Sequence, residues 1–533
     1  MDSIYSKLAV SNDRVGIYLY EDYAKEPVFY SYKYILDRCC QFASYFQGLG
    51  IRKQSRVLVA FESDLDIICS FLALPLIGAI PLSIKPPFAG GNLNDYDHFI
   101  NLMKAKYAVD FILVKNRSEF PVSIQDWIID LADVEFNQCR FEINLFNDLH
   151  DRLCENDIAF VQFSSGSTGT PKGIPITFKQ LKKQLSYIYH SSQHQQRSVG
   201  FSWLPLYHDM GLIGLLTWMY YGIDYHLASP MAFMRSPKSW LYAMKKRSAT
   251  HLSITPFGLK YLFKRVSIER LVEDNFVLDS LQHIFVGAET FDSKFMRVCA
   301  ENLSQIGINP KSIISCYGMA EAVLMVSTNP KNLFSPHRLN QFREYVSVGK
   351  PVDDYRVSIR NDNGQELSDG EEGCIYLKGG TLVESYFDGL GAIVDEDGYY
   401  DTGDLGFLSK GELYITGRIG DRIKINGQSW SATDLENKIE ALNISKLGLV
   451  AAIQPKDEVH ILLQPISMSI VNTGSNQKDK IVDSLLNQTG LKIPKNHIHF
   501  LQKNQLIITS SGKLCRKEMN RKFESGELLE HLV

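Results

Sequence analysis

Ser164 through Gly173 read SSGSTGTPKG, a run of small and hydroxylated residues closed by a cation. At Ser164, Ser165, Gly166, Ser167, Thr168 and Gly169 the short side chains let backbone N–H groups approach an anion, and Lys172 adds positive charge. It is not a Walker A loop, which needs Gly where Pro171 stands and Ser or Thr where Gly173 stands. An apolar strand before it and a Thr177-capped helix after it fit an anion-binding loop better than a flexible connector. Further groups with chemical potential follow in order: His208 in WLPLYHDMGLIG, Gly287-Ala288-Glu289, Tyr317-Gly318-Met319-Ala320-Glu321, Tyr400-Asp-Thr-Gly-Asp404, Gly417-Arg418 and Ser511-Gly-Lys513. Taken singly, a TGD is an ordinary turn and a lone lysine an ordinary surface charge. Their fixed order asks for a common explanation.

These groups sit where strands end. Val57–Phe61, Ile158–Phe163, His283–Val286 and Ser312–Cys316 are short β-rich runs alternating with helical patterns, which predicts a largely parallel α/β sheet. Three of the runs empty into SSGSTGTPKG, GAE and YGMAE. Ligands in such sheets collect beyond the carboxyl ends of the strands, so the three loops are expected to share one cleft. Residues 361–404 are dense in turn chemistry and predict a small antiparallel or barrel-like unit. The last hundred or so residues read as a compact α+β module, with a helix from about Thr433. The expected boundary lies near Arg418–Gly420.

The 533 residues suggest several structural units, and 45% hydrophobic with 22% charged residues is ordinary globular composition. A net charge of −4 without a long basic run gives no support for nucleic-acid binding. Nine cysteines without a CxxC pair fit reduced thiols in a cytoplasmic protein, and the N-terminus lacks the basic and apolar regions of a secretory signal. Ile67–Ile84 is long and apolar, but Pro75, Gly78 and Pro81 interrupt it. A buried helix followed by a buried strand is the expected reading, with no membrane span.

The ordered motifs resemble those of the adenylate-forming, acyl-activating superfamily over almost the whole chain, and are most similar to fatty acyl-AMP ligases. The resemblance implies an α/β fold: a large N-terminal domain of two α/β sheet subdomains and a small β-unit over residues 1–418, then a small mobile α+β domain over 419–533. It implies ATP as co-substrate with Mg²⁺ held by Glu321, a hard oxygen ligand. Tyr317 and the Gly287-Ala288-Glu289 turn would enclose adenine, with Gly318, Met319 and Ala320 completing that wall. Asp404 would receive the ribose hydroxyls beside Arg418, and Lys513 would bridge acyl and phosphate oxygens. His208 would stand where the carboxylate enters.

WLPLYHDMGLIG is similar to fatty acyl-AMP ligases, which pass the acyl group to the phosphopantetheine thiol of a separate acyl carrier protein. The segment Thr328–Tyr345 is shorter than the insertion usual in those ligases, which keeps CoA open as the acceptor. Gly420 falls at the residue on which the superfamily's C-terminal module turns, and glycine suits a pivot. A fatty acyl-CoA ligase is the alternative reading, and a non-catalytic nucleotide- or acyl-binding relative a more distant one.

Overall fold

The computed structural model describes residues 2–87, 93–134, 150–164, 171–193, 197–291, 293–329, 337–340, 343–352, 354–389, 391–425, 428–467, 470, 474–508 and 514–532. Two sheets dominate. The larger has nine strands in the order Lys350–Pro351, Met325–Thr328, Ile313–Gly318, His283–Val286, His251–Ile254, Val199–Ser202, Asp224–Ala228, Gly16–Tyr20 and Val28–Ser31. Its interior pairs are parallel, and antiparallel strands finish both edges. The second has six strands in the order Ile128–Asp130, Phe111–Val114, Arg56–Ala60, Ile80–Ile84, Ile158–Ser164 and Lys172–Thr177, again parallel except at the last pair.

The expected strands are present, and the long apolar run resolves into the helix Leu65–Leu76 and the strand Ile80–Ile84, buried throughout. Both faces of a parallel sheet are covered, so such a strand needs no polar alternation. Among the described residues no helix is long and apolar enough to cross a membrane.

The helix Asp209–Tyr221 packs between the layers and is apolar nearly all round, the pattern of a helix with no solvent face. Gly211 lets its first turn dock: a Cβ there would stand 2.3 Å from the Pro205 carbonyl oxygen.

Residues 355–418 form a four-stranded antiparallel meander, Tyr355–Arg360, Gly373–Gly379, Tyr400–Ser409 and Glu412–Arg418. Beyond it come the three-stranded sheet Ser445–Ile453, His460–Pro465 and Ile498–Phe500 and the helices Ala432–Glu440, Gly474–Thr489 and Arg516–Glu524. Two apolar clusters belong wholly to residues from Ile423 onward, whereas the cluster under the meander ends at Ile415.

A buried charge cluster fastens this C-terminal part. Arg516 donates through Nε to Glu436 Oε1 at 2.9 Å and through Nη2 to Oε2 at 2.6 Å, while Nη1 lies 2.9 Å from Asp421. Burial pushes the Glu436 carboxyl above its ordinary pKa, against the pull of Arg516. Removing one partner of such a pair strands the other charge, at a cost of about 3–5 kcal/mol. Arg516→Ala is therefore expected to lower stability in urea unfolding by that amount; a change under ~1 kcal/mol would mean that the pair is solvated.

Candidate active site

The carboxyl ends of the parallel strands carry the predicted groups. Asp404 and Arg418 are direct cross-strand partners in the hairpin of Tyr400–Ser409 with Glu412–Arg418. Arg418 Nε donates to Asp404 Oδ1 at 2.7 Å, and the Tyr317 hydroxyl donates to Oδ2 at 2.7 Å from the end of its own sheet strand. Asp404 is only 5% exposed, and its backbone N–H donates to Thr402 Oγ1 at 3.0 Å. Asp404 holds the Arg418 guanidinium further above its ordinary pKa; burial, then the Asp404 charge, raise the Tyr317 phenol. Two oxygens with about four acceptor positions leave Asp404 able to take further donors after these bonds.

Glu321 lies on the 3₁₀ turn Ala320–Ala322, directly after the strand bearing Tyr317. Gly318 is required at the bend, because a Cβ there would stand 1.8 Å from the Leu324 carbonyl oxygen. The turn ends on Val323 at φ +67°, a strained conformation for a β-branched residue. Strong backbone anchors hold it: Thr381 Oγ1 donates to the Ala322 carbonyl at 2.7 Å, and the Val383 N–H donates to that of Glu321 at 3.0 Å. Burial pushes the Glu321 carboxyl above its ordinary pKa; the Ser164 hydroxyl and the Arg418 charge oppose that shift, and Asp209 adds to it. Ser164, at the end of a strand of one large sheet, thus lies beside Glu321, on the turn that follows a strand of the other.

Ser164 and Lys172 face each other as the last described rung of a β-hairpin, Ile158–Ser164 with Lys172–Thr177. Thr177 does cap the helix Phe178–Ser191, accepting from the Gln180 N–H at 3.2 Å in a reciprocal capping box. The intervening strand, however, puts that helix start about 17 Å of chain beyond Lys172 at ~3.4 Å per residue. An antiparallel strand, rather than the helix, therefore follows Lys172 directly. Residues 165–169 of the motif and Lys513 lie outside the described residues.

Sequence reasoning missed the residues that anchor the loop's exit. The Tyr107 hydroxyl donates to the Pro171 carbonyl at 2.8 Å and accepts the Gly173 N–H at 2.9 Å. Lys106 reaches the same carbonyl at 3.2 Å and Asp388 at 3.0 Å, while the Lys172 ammonium lies 4.8 Å from the centre of the Tyr386 ring. Tyr386 also places its hydroxyl 3.5 Å from Glu321 Oε1. No motif marks Lys106 or Tyr107. The aromatic run Tyr386-Phe387-Asp388 shortly before YDTGD is the one signal in the sequence that could have pointed to the clamp.

His208 stands at the N-terminus of the buried helix Asp209–Tyr221, where the aligned peptide dipoles favour an anion. Gln162, beside the hairpin tip, donates to the Tyr207 carbonyl at 2.6 Å and so fixes the turn that presents His208. Glu289 follows Ala288, which has φ +72°, and accepts the Phe257 N–H at 3.1 Å in the first turn of the helix Pro256–Arg265. That makes Glu289 a helix-capping carboxylate at the rim. The Cβ direction of Gly287 is 3.2 Å from the Cys316 carbonyl, a close approach between neighbouring strands.

Gly420 sits in the 3₁₀ turn Ile419–Asp421 immediately after Arg418. Open space surrounds its Cβ direction and its φ lies outside the left-handed region, so this pose does not itself demand glycine. Around it Arg422 bonds Glu372 of the meander at 3.1 Å. Lys260 of the N-terminal part bonds Asn437 at 2.7 Å and Glu440 at 3.2 Å.

Known proteins share this architecture. A Caulobacter vibrioides protein provisionally named an acyl-CoA synthetase is 27% identical over 93% of this chain and 90% of its own. The medium-chain-fatty-acid–[acyl-carrier-protein] ligase TtuA of Teredinibacter turnerae is 30% identical over 69% of this chain and 63% of its own. A solved structure from studies of fatty acyl-adenylate ligases of E. coli and L. pneumophila superposes with TM-score 0.85 at 24% identity, covering 98% of each chain. The AMP-binding enzyme family matches residues 9–387, which take in the hairpin loop, His208, Glu289 and the Tyr317–Glu321 turn. On these grounds the resemblance read from the motifs holds, and the chain belongs to the AMP-binding enzyme family.

Proposed function

We propose that this enzyme joins a fatty acid to AMP, releasing pyrophosphate, and then passes the acyl group to the phosphopantetheine thiol of a separate acyl carrier protein. The observation that carries the reading is the junction at Ser164 and Glu321, where the end of a strand of one sheet meets the carboxylate turn of the other, with Asp404, Tyr317 and Arg418 alongside. In the reaction a carboxylate oxygen attacks the α-phosphorus of ATP, and the bond from that phosphorus to the oxygen bridging to the β-phosphate breaks. Two anions must meet, so charge neutralisation and positioning are the work required.

Each group has a fitting task. Asp404 takes the ribose hydroxyls, and the Tyr317 and Arg418 bonds hold it in place. Tyr317 and residues 287–289 border adenine, with residues 318–320 behind them. Lys172 and the loop residues 164–169 receive the phosphates. The carboxylate arrives at His208 and the N-terminal dipole of its helix. Glu321 suits Mg²⁺: it is a buried oxygen ligand with no ion-pair partner among the described residues. When bound, the metal neutralises charge on the phosphate oxygens. Lys513 bridges the acyl and phosphate oxygens during adenylation.

Residues 419–533 act as a module turning about Gly420 between the two half-reactions, leaving 1–418 in place. The separate apolar clusters support that division. Relatives of Teredinibacter turnerae and Moorena producens, both named medium-chain-fatty-acid–[acyl-carrier-protein] ligases, favour a carrier protein as acceptor. The short segment after Thr328 and the Caulobacter vibrioides relative favour the second reading, transfer to CoA.

Mass spectrometry of products from ATP, Mg²⁺ and a fatty-acid ladder, with CoA and holo-carrier protein offered in parallel, tests the reading. Acyl-AMP and acyl-carrier are expected; acyl-CoA as the main product would establish CoA as the acceptor instead, and no acyl-AMP would sink both readings. Lys513→Ala is expected to abolish acyl-AMP formation but to spare transfer from supplied acyl-AMP. Parent-rate adenylation in that variant would remove Lys513 from the chemistry. Gly420→Pro should spare adenylation and damage acyl transfer, and equal loss of both half-reactions would refute a pivot there.

A further inference from the structure

The C-terminal module holds a group of side chains that the adenylation site does not use. Two short motifs, Glu458-Val-His460 and His497-Ile-His499, each space their polar residues two apart. Residues two apart in extended backbone share a face, and Glu458 is extended at φ −100°, ψ 133°. His460 opens the strand His460–Pro465, which pairs in parallel with Ile498–Phe500; the 3₁₀ turn Lys495–His497 leads directly into that second strand. The two motifs therefore meet. The His460 and His497 rings stack at 4.2 Å and 18°, and the His499 ring lies 5.2 Å from that of His460.

The atoms that converge are of the kinds that bind metals. Glu458 Oε2 is 3.8 Å from His460 Nε2 and 3.8 Å from His497 Nε2, and one ligand atom from each residue lies within 4.8 Å of the others. The far side of each ring is already engaged. His497 Nδ1 is 3.1 Å from the Val459 carbonyl, which can only accept. That bond puts the proton on Nδ1 and leaves the Nε2 lone pair facing Glu458. His460 Nδ1 is 3.0 Å from His499 Nε2, so a proton donated along that bond frees the His460 Nε2 lone pair in the same direction. A histidine whose second nitrogen donates to a backbone carbonyl, as His497 does, fixing tautomer and ring plane, is the arrangement found around bound metals.

We propose that Glu458, His460 and His497 form a zinc-type divalent-metal site on the C-terminal module, with His499 and the Val459 carbonyl orienting the two ligand rings. Two imidazoles and one carboxylate suit Zn²⁺ or Co²⁺, whereas Mg²⁺ and Ca²⁺ favour oxygen throughout. Tetrahedral Zn²⁺ with bonds near 2.0–2.1 Å places ligand atoms ~3.3 Å apart. The side chain of Glu458, 67% exposed, is free to close the difference, and its exposure leaves the remaining coordination positions to water. A bound ion would tie Glu458 and the strand start at His460 to His497 across the chain segment that includes the helix Gly474–Thr489, closing a long loop inside the module.

The full-length chain, stripped with a chelator and titrated with Co²⁺, tests this through visible absorption, followed by Zn²⁺ competition. One equivalent of absorbing Co²⁺, displaced by Zn²⁺, is expected. Glu458→Ala and His497→Ala should each weaken Co²⁺ binding roughly tenfold or more. The same variants should lose the rise in unfolding midpoint that Zn²⁺ gives the parent chain. Because Glu458 is exposed, its variant should unfold at the parent's midpoint when chelator is present, which separates loss of a ligand from loss of the fold. Glu321→Gln should keep the signal, separating it from metal at the nucleotide cleft. An absent band in the parent, or the same band and stoichiometry in Glu458→Ala and His497→Ala, would overturn the proposal.

Discussion

One buried carboxylate holds three parts of the molecule in register. Asp404 takes Tyr317 from the end of a parallel strand of the nine-stranded sheet and Arg418 from the opposite strand of its own hairpin. A carboxylate at that depth is tolerable only with such partners, since an isolated buried charge costs several kcal/mol. The need to satisfy it ties the meander to the large sheet. It also fixes the last residue before the Ile419–Asp421 turn, from which the chain continues into the C-terminal residues.

The second organising constraint is the reversal of chain direction at the edges of both sheets. In each, the last strand of the parallel run pairs with an antiparallel neighbour that follows it in the chain: Ser164 with Lys172 in one, Gly318 with Met325 in the other. Two bends of this kind, brought face to face, set Glu321 beside the Ser164 hydroxyl and within the field of Arg418 and Asp209. That junction concentrates opposing charges in a poorly hydrated place, where electrostatic interactions are strongest. The strain at Val323 belongs to the same design, since backbone held in a sparsely populated conformation gathers at such sites.

Much of this was legible in the sequence because the signals are local. His283–Val286 is a short β-branched and aromatic run closed by glycine, and it forms that strand. Gly78, at φ +76°, marks the turn between helix and strand in the apolar segment, whereas Pro75 lies inside the last turn of the helix and Pro81 inside the strand. The strand Lys172–Thr177 was not legible: Gly173 and Pro175 disfavour β structure, and pairing with Ile158–Ser164 overrides them. Expecting a helix close behind the loop followed from that omission. The Lys106, Tyr107 and Asp388 anchors depend on contacts between distant segments, which no periodicity encodes. The pairing of Glu458-Val-His460 with His497-Ile-His499 is hidden for the same reason, as each half is unremarkable until two parallel strands bring them together.

The hairpin carrying Asp404 bears on the fate of an acyl-adenylate. A mixed anhydride is hydrolysed readily once it escapes into water, so an enzyme working in two stages gains from retaining it between them. The Asp404–Arg418 rung lies at one end of a ladder that runs back to Ser409 and Glu412, all of it before the proposed pivot at Gly420 in the chain. Rotation of the C-terminal module would leave that ladder undisturbed. If Asp404 holds the ribose as proposed, the nucleotide half of the intermediate would stay moored while its other end is exchanged from one reaction partner to the next, and the register of a single β-hairpin would hold down the leak to hydrolysis.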